Sequence, residues 1–170
     1  MSYATDDVQL LREIVDTGEA RLQAQLTTAL ASDQRNLVLA GFLSATIVAL
    51  VGGAIALFLQ TPPLVFLGWD ALFVAAGLAI GLFLLVWAAR PVDWHYPGTR
   101  PRDWISDVAT KREMHEVLAD RAADIERKAG LNAAILSSHA KLLNAGLLVA
   151  ALSITIGGIG LGAYFLCWRS

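Results

Sequence analysis

Charged and apolar residues fall in blocks along this chain. No Asp, Glu, Lys or Arg lies between Asn36 and Gln60, between Ala71 and Ala89, or between Leu142 and Trp168. Each of these stretches is long enough to cross the hydrocarbon core of a bilayer, which takes about 20 helical residues. The pattern predicts an all-α integral membrane protein with transmembrane helices at 37–59, 68–89 and 142–168, the first two joined by a short outer turn at 60–67.

The flanking segments are polar but periodic. Within residues 1–36, Val8, Leu11, Val15, Leu22, Leu26 and Leu30 recur at spacings of three, four or seven, one apolar stripe on a charged helix. Asp6 and Asp7 suit its first turn, where carboxylates complement the helix dipole, and Gly18 weakens its middle. A second amphipathic helix is expected over 103–141, after an aromatic loop at 90–102 that holds the turn-forming PGTRP. Its seam is coiled-coil-like. Val108, His115, Ala122, Ala129, Leu136 and Leu143 form one row, and Lys111, Leu118, Ile125, Asn132, His139 and Gly146 the row beside it.

No proline or loop signal separates this seam from the third span, so one unbroken helix is expected from the cytoplasm through the bilayer. Residues 103–141 would project about 55–60 Å at 1.5 Å per residue. The first and third spans cross in the same direction, which sets the two amphipathic helices parallel. They need partners, within one chain or between copies, because packing the apolar face supplies most of a helix's stability in water.

Composition agrees with a membrane protein: 56% of the residues are hydrophobic and the mean hydropathy is +0.55. Basic residues set the orientation. Arg12, Arg21 and Arg35 precede the first span, nine lie from Arg90 to Lys141, none falls in the turn from Gln60 to Asp70, and only Arg169 follows the third span. The positive-inside rule then places the N-terminus and the long loop in the cytoplasm and the turn and the C-terminus outside. Trp69 and Trp168 fall at the outer interface and Trp87 near the inner one. The opening SYATDDVQLLRE does not read as a secretory signal, so the first span is expected to direct its own insertion. Cys167 reads as a small apolar filler.

Polar groups at the seam and small residues in the spans point to assembly. Lys141 suits a snorkelling position at the headgroups, and Asn132 and His139, one heptad apart, suit hydrogen bonds that fix helix register and oligomer number, in preference to a ligand or metal site. Small residues recur every fourth position: Gly41, Ala45, Ala49 and Gly53 in the first span, Gly77 and Gly81 in the second, Gly158 and Gly162 in the third, with Ser153 and Gly157 in a further register. Such rows let helices approach closely in lipid, either to pack one subunit or, as we favour, to build a homo-oligomer. The span interiors carry no ionisable residue, which argues against a proton-coupled transporter or pump but is compatible with a pore gated by an apolar constriction.

The loop ARPVDWHYPGTRPRDW gathers Arg90, Trp94, His95, Tyr96, Arg100, Arg102 and Trp104. Guanidinium groups and aromatic faces can hold a phosphate and stack a base, so a nucleotide-like ligand would sit here. The simpler account, an interfacial belt with positive-inside charge, is favoured. Catalytic signals are absent: ITIGGIGLG lies inside an apolar span and has no lysine, His115 and Glu116 do not continue to a second histidine, and no metal set or activated nucleophile is in evidence. A non-enzymatic protein without cofactor or metal is expected, with lipid rather than nucleic acid around it.

The plan of ALASDQRNLVLAG running into a first span, a tight turn, RPVDWHYPG, and IERKAGLNAAILSSHAKLLNAGLLVAAL becoming the last span resembles small bacterial transmembrane effectors of antiphage systems, among them the Pycsar transmembrane effectors and related two-to-three-span effectors. The resemblance lies in hydropathy layout and in the polar positions Asp33, Arg35, Asn132 and Lys141. It implies a protein that rests until an infection signal, such as a cyclic nucleotide second messenger, changes its assembly and the inner membrane is perforated or depolarised. The alternative is a membrane anchor whose cytoplasmic helices recruit a soluble partner protein.

Overall fold

The computed structural model describes the backbone of residues 7–98 and 101–169 and, within these, all side chains but those of Pro101, Asp103, Trp104, Trp168 and Arg169. Every element among the described residues is helical: α1 (Val8–Leu59), α2 (Val65–Ala88), α3 (Pro101–Ala109) and α4 (Met114–Arg169). Helices α1, α2 and α4 are long and apolar enough to cross a membrane. The chain forms two compact units, Met1–Ser32 with Pro91–Ser137 and Asp33–Arg90 with Ser138–Ser170, so α1 and α4 each contribute to both.

In the first unit, α1 starts at Asp7, whose Oδ1 accepts hydrogen bonds from the backbone N–H groups of Gln9 and Leu10 at 2.9 and 3.1 Å. That satisfies two of the donors left open at a helix start. Asp6 lies outside the described residues. Leu11, Val15 and Leu22 then pack against Leu118, Ala122, Ile125 and Ala129 of α4. The two helices run parallel: Gly18 faces Ile125, and seven residues on, Gln25 Nε2 donates to the Ala129 carbonyl at 3.1 Å. The amphipathic helices therefore pair within one chain.

Two details of the α1 stripe differ from the sequence reading. Gly18 is a point of close approach, since a Cβ there would stand 2.6 Å from Ile125 Cγ2. Leu30 is 66% exposed, whereas Ala29 and Asn36 are buried. The seam keeps a seven-residue repeat from Leu22, and a step of eight rotates Leu30 off it.

The helix expected to run unbroken from Asp103 is divided. α3 ends at Ala109 and α4 begins at Met114. Lys111 sits in the left-handed region at φ 53°, Arg112 N–H bonds the Asp107 carbonyl at 3.2 Å, and Lys111 N–H bonds the Val108 carbonyl at 3.2 Å. This is the Schellman pattern of helix termination, with lysine at the position that glycine usually occupies. The sequence carried no glycine or proline there to announce it. The stretch of α4 from Met114 to Lys141 measures about 40 Å at 1.5 Å per residue.

In the second unit, α2 lies antiparallel to α4 along a seam of small residues. Gly81 and Gly146 meet backbone to backbone, a Cβ on Gly81 lying 2.9 Å from the Gly146 carbonyl oxygen and one on Gly146 lying 3.0 Å from that of Gly81. Gly77 packs on Ser153 and Gly157 on Val74, and Phe66 stacks on Tyr164 at 5.3 Å. α2 starts at Val65, before the expected residue 68, so Asp70 lies more than a turn inside it; Asp70 is half-buried over Gly160, where a Cβ would lie 2.9 Å from Oδ1. At the turn, the Leu64 N–H bonds the Leu57 carbonyl at 3.1 Å, and Phe58 covers Gly68 and meets Trp69 edge-on at 5.9 Å. α1 is the least covered span: 6% of its most apolar window is buried within the chain, against 33% for α2.

The Gly18–Ile125 contact predicts that Gly18→Ala lowers stability. Alanine gains about 1 kcal/mol of helix propensity. Overpacking against a branched core side chain costs about 1–3 kcal/mol and outweighs it. Thermal unfolding of the detergent-solubilised protein should show the loss in the wild-type background and show it vanish when Ile125→Ala is also present.

Candidate functional site

The segment Pro91–Gly98 follows α2 without regular secondary structure and is tied to α4 through His95. Asn132 Oδ1 accepts the His95 N–H at 3.1 Å, and Asn132 Nδ2 donates to the His95 carbonyl at 2.9 Å. One amide side chain thus takes both backbone groups of His95, as a neighbouring strand would. Asn132 is 0% exposed. An irregular loop has no backbone ladder of its own, and buried main-chain polar groups need partners, which is why an amide stands at this seam position. The interhelical register role expected of Asn132 is taken by this contact inside the chain. His139, one heptad on, is half-buried.

The other sequence candidates are distributed along the loop and beyond it. Arg90 stands over the Trp87 ring at 4.9 Å, a cation–π contact at the end of α2 in the second unit. Trp94 is half-buried, Tyr96 is exposed, and His95 Nδ1 is buried with no hydrogen-bond partner. Gly98 lies in a bend at φ +88°, a conformation that glycine adopts without a Cβ penalty. Arg102 is exposed in the first turn of α3. Arg100 and the Trp104 side chain lie outside the described residues.

A groove of about 440 Å³ opens elsewhere in the first unit, between α1 and α4. Leu10, Ile14, Gly18, Ala122, Ile125 and Ala129 line its apolar floor, and Glu13, Arg21 and Glu126 stand at its edge. No spacing in the sequence marks this groove, since Gly18 itself lies against Ile125. At the α3–α4 corner Arg112 bridges Asp107, Glu116 and Asp120 at 3.4, 3.8 and 2.5 Å. Further along α4, partial burial works against ionisation of Asp124, but hydrogen bonds from Lys128 and Arg127 prevail and hold its carboxyl below the ordinary range. A depressed carboxyl contributes stability above its unfolded pKa, lost as pH falls through the folded value.

The small-residue rows divide into covered and open faces. Gly77 and Gly81, placed at an oligomer interface by the sequence reading, pack on α4 of the same chain. A Cβ on Gly41, Gly53, Gly158 or Gly162 would meet nothing within 4 Å, and Ala45 and Ala49 are exposed. Comparisons of the chain with protein-family models, with curated proteins and with solved structures find no match.

The clamp predicts that Asn132→Ala releases the loop. Leaving buried partners unsatisfied costs about 1–3 kcal/mol each. The His95 amide should therefore exchange with solvent about tenfold faster or more, since about 1.4 kcal/mol is a factor of ten. Asn132→Asp keeps the acceptor, loses the donor and sets a carboxylate against a carbonyl, so it should fail to restore protection.

Proposed function

We propose that this chain is an inner-membrane effector of bacterial antiphage defence, whose copies assemble and disrupt or perforate the bilayer when a cytoplasmic signal arrives. The observation that carries the reading is the contrast between the two kinds of glycine surface. One is used up inside the chain, between α2 and α4, and the other, on α1 at Gly41 to Gly53 and on α4 at Gly158 and Gly162, is open. In lipid a small-residue face gains by close helix contact, so the open rows suit other copies of the chain. The resemblance to antiphage transmembrane effectors supports the same reading.

In this scheme the N-terminus and the loop at 90–102 are cytoplasmic, and a signal such as a cyclic nucleotide, or a soluble partner, acts on the loop. Asn132 ties that loop to α4 ten residues before the apolar stretch at Leu142. α4 carries no break between the two positions. The activity is assembly in lipid and involves no bond chemistry.

The test uses bacterial cells carrying a voltage-sensitive dye. Wild-type protein should depolarise them on infection or at high expression. Gly158→Leu combined with Gly162→Leu should abolish depolarisation while leaving the thermal unfolding of the purified protein unchanged, because the added side chains meet open space. Gly81→Leu should instead unfold the protein against the Gly146 backbone. An undisturbed potential with wild-type protein present in the membrane overturns the proposal, and a stoichiometric soluble protein that co-purifies without any conductance favours the anchor.

A further inference from the structure

The outward face of α2 carries a graded row at its C-terminal end. Phe83 and Trp87 are 61% and 47% exposed, and their ring centroids lie 5.7 Å apart. Arg90 follows, with its guanidinium 4.9 Å above the Trp87 ring. Phe83 stands about 6 Å further into the helix than Trp87, at 1.5 Å per residue. The row therefore passes from an apolar ring through an indole to a cation. A phospholipid has the same order, from acyl chain through the glycerol region to phosphate, and indoles and arginines sit at the headgroup level of a bilayer.

The chemistry of Arg90 points to an anion from outside the chain. Stacking fixes the guanidinium plane on the indole and leaves its N–H edges free, and a phosphate can take two of them at once. Among the described residues no carboxylate pairs with Arg90, whereas Arg112, Arg127 and Lys128 are all held by Asp or Glu. A second copy set the same way up in the bilayer brings the same unit to this level. That unit contains only two carboxylates, Asp33, which is half-buried, and Asp70, near the other end of α2. Exposed Arg35 and Lys141 stand just before the apolar stretches of α1 and α4, so the ends of the spans on this side carry an excess of positive charge. Charge of this kind favours anionic headgroups over zwitterionic ones.

We infer that Arg90, Trp87 and Phe83 form a binding site for one anionic phospholipid, with its phosphate on the guanidinium, its glycerol region against the indole and an acyl chain along Phe83. The inference rests on α2 crossing the bilayer and is independent of the signal and of the assembly.

The experiment offers the full chain, purified in detergent, equal amounts of dioleoylphosphatidylglycerol and dioleoylphosphatidylcholine and reads the retained lipid by native mass spectrometry. Wild-type protein should retain the anionic lipid in preference. Arg90→Gln should lower retained phosphatidylglycerol about tenfold, the factor carried by one charge-assisted hydrogen bond. Trp87→Leu should also lower it, and Trp87→Tyr, which keeps an aromatic face, should restore most of it. These positions are exposed, so the melting temperature without lipid should not change. Lys141→Gln, which removes a charge away from the row, should leave retention intact. Equal losses from Arg90→Gln and Lys141→Gln indicate a diffuse positive field and overturn the site. A chain recovered from cells outside the membrane fraction overturns the spanning reading itself, whereas a membrane-embedded chain with no preference for phosphatidylglycerol overturns only the lipid site.

Discussion

A helix closes its backbone hydrogen bonds along its own length, and that property lets one segment be stable in water and in hydrocarbon alike. α1 and α4, of 52 and 56 residues, both pass from a charged composition to an apolar one without interruption. The average globular helix has about 11–12 residues. What changes along these two is the side-chain covering. In the first unit Leu11, Leu22 and Leu118 face inward and charge faces out, whereas in the second Phe42, Val48, Ile55 and Ile159 face outward. The second arrangement is unfavourable in water and suits a lipid surround.

With the helices given, glycine decides how closely they approach. Gly18 lets α1 meet Ile125 in the first unit, and Gly81 with Gly146 brings α2 and α4 into backbone contact in the second. Lipid offers no hydrophobic drive between helices, so for helices of this composition in a bilayer close packing of this sort would be what holds them together. The chain uses the α2–α4 row for itself. On the opposite surfaces, Gly41, Gly53, Gly158 and Gly162 have no neighbour, and this division underlies the proposed assembly.

Polar groups do the remaining positioning. A buried amide on an apolar seam is costly unless satisfied, and Asn132 is satisfied by the backbone of His95. The pair converts an irregular loop into a fixed part of the first unit. Lys111 accepts a left-handed conformation that ends α3, and Arg112 beside it gathers Asp107, Glu116 and Asp120. One loop clamp and one helix corner thus set where α3 can lie.

The amino-acid sequence by itself determined the three apolar helices, the parallel amphipathic stripes from Leu11 to Leu26 and from Leu118 to Asn132, and the continuity of α4 into its span. These follow from local periodicity and from the absence of charge over about 20 residues, which neighbouring residues alone express. Tertiary structure decided the partners. Whether Gly81 or Gly158 faces a partner depends on which side of each helix another helix takes. Asn132 found its partner 37 positions away in the chain, and no spacing rule connects it to His95. The break at Lys111 was hidden for a local reason: lysine there gives no turn signal, and the bonds that close it, Lys111 N–H to the Val108 carbonyl and Arg112 N–H to the Asp107 carbonyl, lie within the last turn of α3 itself.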